Sequence, residues 1–168
     1  MCTMDDALTV PLLYALAIPL VTLGHELGHA AVPLLRTRVP VRVDVGPGFS
    51  RPLFQVRVGR LTVALRWLFL WGGLCSTRAP LTPRQQFWTS AGGPLASLLM
   101  LGLGAAALIG IRTETVWLVA QVFMVLSFGQ LLITLWPMRY PAWLVGFAGM
   151  ESDGAALLRL WPRLRPAR

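Results

Sequence analysis

The sequence predicts a mainly α polytopic membrane protein: three transmembrane helices, a small membrane-associated β-sheet between the first and second, and a short C-terminal helix. Three observations predict it. Of 168 residues, 55% are hydrophobic and only 13% charged, at a mean hydropathy of +0.63, where a soluble domain carries about 25% charge. Three apolar stretches, at about 8–35, 87–111 and 115–137, each reach the roughly 20 residues needed to cross a bilayer core as a helix. Between the first two, the hydrophobic period changes from helical to alternating.

The first span carries no charge from Ala7 to Gly24, and its apolar character resumes up to Leu35. Asp5 and Asp6 stand where a secretory signal has a basic start, and no small-residue cleavage site follows, so the segment reads as a retained span. Pro11 falls in its first turn, and Pro19 predicts a kink or loosened hydrogen bonding ahead of His25. Loosened backbone persists in a membrane where it lines a cavity or is buried in protein.

The β-rich segment covers about 39–65. Val39, Val41, Val43 and Val45 alternate with Pro40, Arg42 and Asp44, and a turn at Gly46-Pro47-Gly48 follows. Phe54, Val56 and Val58 then alternate with Gln55 and Arg57, and Leu61, Val63 and Leu65 continue the period-two pattern. The expectation is a sheet at the cytoplasmic membrane surface with arginines on its wet face. Trp67 to Leu74 is apolar but too short to span, and reads as interfacial.

The second span opens on Ala91-Gly92-Gly93-Pro94-Leu95-Ala96-Ser97, a composition suited to close helix packing or a distorted first turn. In the third, Gln121, Ser127, Gln130 and Thr134 form a polar stripe toward the bundle, and Trp136-Pro137 ends it. Ser152-Asp153-Gly154 caps a last helix with Ala155 to Leu158 as its body. With no internal repeat and no low-complexity linker, residues 1–168 read as one domain.

The net charge of +8 comes from arginine alone. In a soluble protein a pI near 11.4 would point to nucleic acid; here orientation explains it, and no nucleic-acid partner is expected. Arginines crowd the segment between the first two spans and the tail after the third, whereas only Arg112 lies between the second and third. The arginine-rich regions are therefore placed in the cytoplasm and the N-terminus outside, in an integral protein of the plasma (inner) membrane. The basic face would also meet anionic headgroups of the bilayer. Cys2 and Cys75 fall on opposite sides in this topology and read as free thiols.

The only two histidines lie in His25-Glu26-Leu27-Gly28-His29. Imidazoles at i and i+4 share one helix face, where both can bind one Zn2+, and the intervening glutamate can take a proton from water. A catalytic zinc site expects a third protein ligand. Asp5, Asp6 and Glu114 fall on the far side of the membrane, Asp44 reads as a solvated partner of strand arginines, and Glu26 is needed as base. Glu151, Asp153 and Cys75 remain. Asp153 is the choice on sidedness, against a plain rival role as helix N-cap.

Together these motifs resemble the site-2 protease family of intramembrane zinc metalloproteases. The resemblance rests on His25-Glu26-Leu27-Gly28-His29-Ala30, on Gly92-Gly93-Pro94-Leu95-Ala96-Ser97, and on the stretch from Trp136-Pro137 to Ser152-Asp153-Gly154. It implies that His25, His29 and Asp153 bind zinc and that Glu26 activates water. Gly93, Pro94, Ser97 and Thr134 would support the substrate or oxyanion. The activity implied is an endopeptidase acting on membrane proteins or peptides, with any regulatory protein expected to be separate because nothing in the sequence resembles an appended PDZ or CBS domain. Ser97 and Thr134 stand where the family commonly has Asn, and the gap from Pro137 to Asp153 is longer than in its tightest members. These departures motivate the alternative of an inactive relative acting as a binding or chaperone module.

Overall fold

The structure, a computed structural model, describes residues 4–111 and 113–164. Cys2, Arg112, Arg165 and Arg168, used in the thiol and topology readings, lie outside the described residues. The architecture is mainly helical. Helix α1 (Met4–Arg36) is followed by strands β1 (Val41–Val45), β2 (Pro52–Val58), β3 (Leu61–Arg66) and β4 (Gly73–Thr77). Helices α2 (Pro83–Gly110) and α3 (Glu114–Leu135) come next, then the short α4 (Asp153–Leu160).

Three helices are long and apolar enough to cross a membrane: Leu8–Arg36, Pro83–Gly110 and Glu114–Leu135. Their packing is inverted relative to a soluble bundle. The residues that α2 buries are Gly93, Pro94, Ser97 and Gly104, while Leu95, Leu98, Leu99 and Leu103 face outward. In α1 Leu8, Leu12, Leu16 and Leu20 form an outward stripe, while Ala17, Val21, His25 and Glu26 are buried. Leucine outside and small or polar residues inside is the pattern of helices solvated by hydrocarbon, where close backbone approach drives association.

Helix α1 runs unbroken through Pro11, Pro19 and Pro33. Its C-terminal carbonyls are capped from the sheet, because Arg60 donates to Leu34 O at 2.7 Å and to Thr37 O. Helix α2 starts before the fully apolar stretch: Thr82 and Gln85 form a capping box, with Pro83 in the first turn. Pro94 therefore sits well inside α2 and not in a distorted first turn.

The sheet has the order β2-β3-β1-β4, with β1 parallel to β3 and antiparallel to β4. It reaches further than the alternating segment 39–65, because Gly73–Thr77 adds an edge strand where an interfacial stretch was expected. One face is apolar and seats Val41, Val43, Leu61, Val63 and Cys75 against Leu23, Ala30 and Leu34 of α1. The opposite face carries Arg42, Asp44, Gln55 and Arg66. Asp44 does pair with the strand arginines, accepting from Arg42 at 2.8 Å and Arg66 at 2.7 Å, but it is buried and not solvated. Burial holds because two charge-assisted partners replace its water.

Candidate metal centre

One turn of α1 supplies three of the four candidate residues. His25, Glu26 and His29 are all buried, at 1%, 6% and 8% exposure. The i and i+4 imidazoles stand edge to face with centroids 4.8 Å apart, and their Nε2 atoms approach to 3.2 Å. Asp153, the first residue of α4, closes the third side: Oδ2 lies 3.2 Å from His25 Nε2, and Oδ1 lies 3.3 Å from His29 Nε2. Among the described residues these three form the one His/Cys/Asp/Glu group drawn close enough to hold a metal ion.

The spacing is compatible with such an ion. Ligands about 2.0–2.1 Å from a tetrahedral centre stand about 3.3 Å from one another, close to the 3.2 Å between the two Nε2 atoms, while each Nε2 meets a different oxygen of the Asp153 carboxylate. The outer hydrogen bonds also suit it. His29 Nδ1 lies 2.6 Å from Thr89 O, and a carbonyl can only accept, so Nδ1 carries the proton and Nε2 keeps its lone pair. On the far edge of the His25 ring, Nδ1 lies 2.9 Å from Ser97 Oγ, a residue with no exposed surface. Thr89 O is available because the N–H of Gly93, its partner four residues on in α2, is turned toward the His29 ring, 3.3 Å from Nδ1.

The glycines make the approach feasible. A Cβ on Gly93 would collide with Nε2 of both histidines. A Cβ on Gly28 would strike Gly92 O, and one on Gly92 would strike Gly28 O, so α1 and α2 cross with backbones in contact. Gly93, expected as substrate support, thus lies against the Nε2 edges of the two imidazoles, and Pro94 follows it as a buried residue of α2. Ser97 is turned to His25. Thr134 alone of that set lines the open space, its hydroxyl donating to Leu131 O at 3.5 Å.

Asp153 reaches the histidines because another residue caps α4. Ser152 Oγ accepts from Ala155 N at 3.2 Å, which is the N-cap role the rival reading gave to Asp153. The same hydroxyl donates to Trp136 O at 2.7 Å, and Ser152 N donates to Met138 O at 3.0 Å. These bonds tie together the two ends of the long segment after α3, so its extra length loops out without moving Asp153. Burial would raise the Asp153 carboxyl, but its contacts with the His25 and His29 rings outweigh it and hold the group below its usual range. Glu151 is engaged elsewhere: the bond from Arg159, with Arg139 beside it, keeps its carboxyl ionised below the usual range. Cys75 lines the same cavity as a thiol, pushed up to about 12 by burial and then by the Glu26 charge. It is protonated at neutral pH and cannot act as a thiolate ligand.

The centre opens into a cavity of about 170 Å³, bounded by Glu26, the edge strand residues Gly73, Leu74 and Cys75, and Tyr140, Phe147 and Met150 of the tied loop. Sequence reasoning missed Tyr140, Phe147 and β4. They lie outside any periodic segment, and only folding brings them to the histidines. No protein-family model matches this chain, and neither curated proteins nor solved structures give a significant match.

Proposed function

We propose that this protein is a zinc-dependent intramembrane endopeptidase that hydrolyses peptide bonds of membrane-embedded substrates. The observation that carries the reading is the convergence of His25, His29 and Asp153 around one point, with Glu26 beside them, inside an apolar span. Ionisable groups at that depth are costly and serve a function by default. A zinc ion held there would supply the Lewis acid that polarises a scissile carbonyl and acidifies water.

The chain's own residues do the rest. Ser97 and Thr89 O hold the imidazoles with Nε2 turned inward. Glu26, in hydrogen-bonding contact with the Cys75 backbone, takes the proton of the attacking water and passes it to the leaving amine. Strand β4 is a sheet edge at the cavity wall, so an unwound substrate segment can add to it as a further strand and bring its peptide bond to Glu26. Alpha-helical peptide bonds are already paired, which makes this unwinding a precondition of cleavage. The arginine distribution supports a cytoplasmic site and an external N-terminus.

A second reading is a zinc-holding binding or chaperone module without hydrolysis. The commitment of Ser97 to His25 favours it, since that hydroxyl is then not free to position a substrate backbone. Metal removal separates the two. Protein reconstituted in vesicles with single-span substrates should lose cleavage on chelation and regain it with zinc added back. One zinc per chain without cleavage of any substrate supports the second reading and overturns the first.

A further inference from the structure

A second cavity, of about 430 Å³, lies between α1 and α3 next to the metal centre. Glu26, Gly73, Thr134, Tyr140 and Phe147 border both spaces, so the two adjoin at the proposed base. On α1 its wall is the stripe Ile18, Val21 and Thr22 that precedes Glu26, about two to three turns from His29 toward the start of the helix. On α3 the wall is Leu126, Gly129 and Ile133. An extended chain presenting a bond to Glu26 must direct a neighbouring side chain into this space, because successive side chains in a strand alternate in direction.

We propose that this cavity is the specificity pocket, receiving a bulky apolar side chain of leucine or phenylalanine size from a residue flanking the scissile bond, with Gly129 setting its depth. The inference rests on the endopeptidase reading above. Chemistry selects the class: Glu26 is the one charged group on the wall, so an acidic side chain would enter an apolar, low-dielectric space beside a like charge. Size permits it, since about 430 Å³ leaves ample room for one such side chain. Gly129 is the telling position. A Cβ there meets no atom within 4 Å, although the residue borders the cavity, so a larger side chain would extend into open space. Glycine within a helix is otherwise unfavourable, and no neighbour of Gly129 requires it.

The test uses the full chain in vesicles with zinc and single-span peptides that differ only at positions flanking the bond cut, carrying Phe, Ala or Asp. For the wild type, kcat/KM should be roughly tenfold higher with Phe than with Ala at one flanking position, and lowest with Asp. Gly129→Leu should collapse that Phe-to-Ala ratio to about one or below, and Gly129→Ala should give an intermediate ratio. A ratio unchanged by Gly129→Leu, or an equal loss on both peptides, overturns the pocket while leaving the protease reading intact. If the wild type cuts no peptide, the protease reading fails instead, and photocrosslinking reads the pocket separately. A benzophenone-alanine peptide should then crosslink to Ile18 or Gln130 in the wild type and lose that crosslink in Gly129→Leu. Crosslinks absent, or unaffected by the substitution, overturn the inference.

Discussion

At the scale of single residues, the centre depends on which nitrogen of each imidazole is left free. Thr89 O and Ser97 Oγ engage the two Nδ1 atoms, and Asp153 bridges the two Nε2 atoms. Outer partners of this kind are worth about 10–100-fold in metal affinity. Ser97→Ala should therefore weaken zinc binding by about that factor in competition with a chelator, while an unchanged affinity would remove Ser97 from the account. Cys75 offers a pH test. With its thiol pushed up to about 12, alkylation by iodoacetamide in a Cys2→Ser background should climb about tenfold per pH unit through pH 10. An ordinary thiol, with a pKa of about 8.5, would level off by then. A plateau near pH 9 would mean that Cys75 is not buried beside Glu26. His25, Glu26 and His29 were legible in the sequence because their spacing is local to one helix. Asp153 was legible as one of three candidates, favoured by sidedness and by the family resemblance. What separates it from Glu151 and Cys75 is tertiary: two arginines on one, and a buried thiol on the other.

At the scale of elements, the crossing of α1 and α2 through Gly28 and Gly92 determines whether the centre can form. The carbonyl that fixes His29 and the hydroxyl that faces His25 both come from α2. Gly92→Leu would place its Cβ against Gly28 O and force the helices apart. The expected cost is about 1–3 kcal/mol for overpacking, seen as a lower melting temperature in detergent together with loss of bound zinc. Retention of both would show that the helices are not in backbone contact. The alternating segment was legible because period two is a strong local signal, and so was the glycine-rich stretch of α2. Strand β4 was not. Its sequence, Gly73–Thr77, has glycine and no alternation, and becomes a strand because β1 offers it an edge beside α1. Helix α4 was placed correctly from its cap, but the loop between α3 and α4 carries no periodicity, so Tyr140 and Phe147 could not be assigned to the cavity.

At the scale of the whole molecule, the chain combines an apolar exterior with a polar interior, and this inversion connects its composition to the proposed chemistry. Leucines cover the outer faces of the three long helices, while two histidines, two carboxyl groups and several serines are withdrawn from the surface. Withdrawn groups of this kind are tolerated when they serve one another, as the His25–His29–Asp153 set and, in the sheet, the Asp44–arginine set do. Charge asymmetry leads to an orientation that can be measured. Reporter fusions or cysteine labelling should place the β-sheet segment in the cytoplasm and the N-terminus outside, and the reverse would contradict the arginine argument.

The most direct measurement pairs cleavage with metal content in Glu26→Gln, a substitution that keeps the side chain's shape and removes the base. In zinc-loaded vesicles, the wild type should cut a single-span substrate within its membrane-spanning segment. Glu26→Gln should hold one zinc per chain and cut nothing. Cleavage by Glu26→Gln at the wild-type rate would contradict the account.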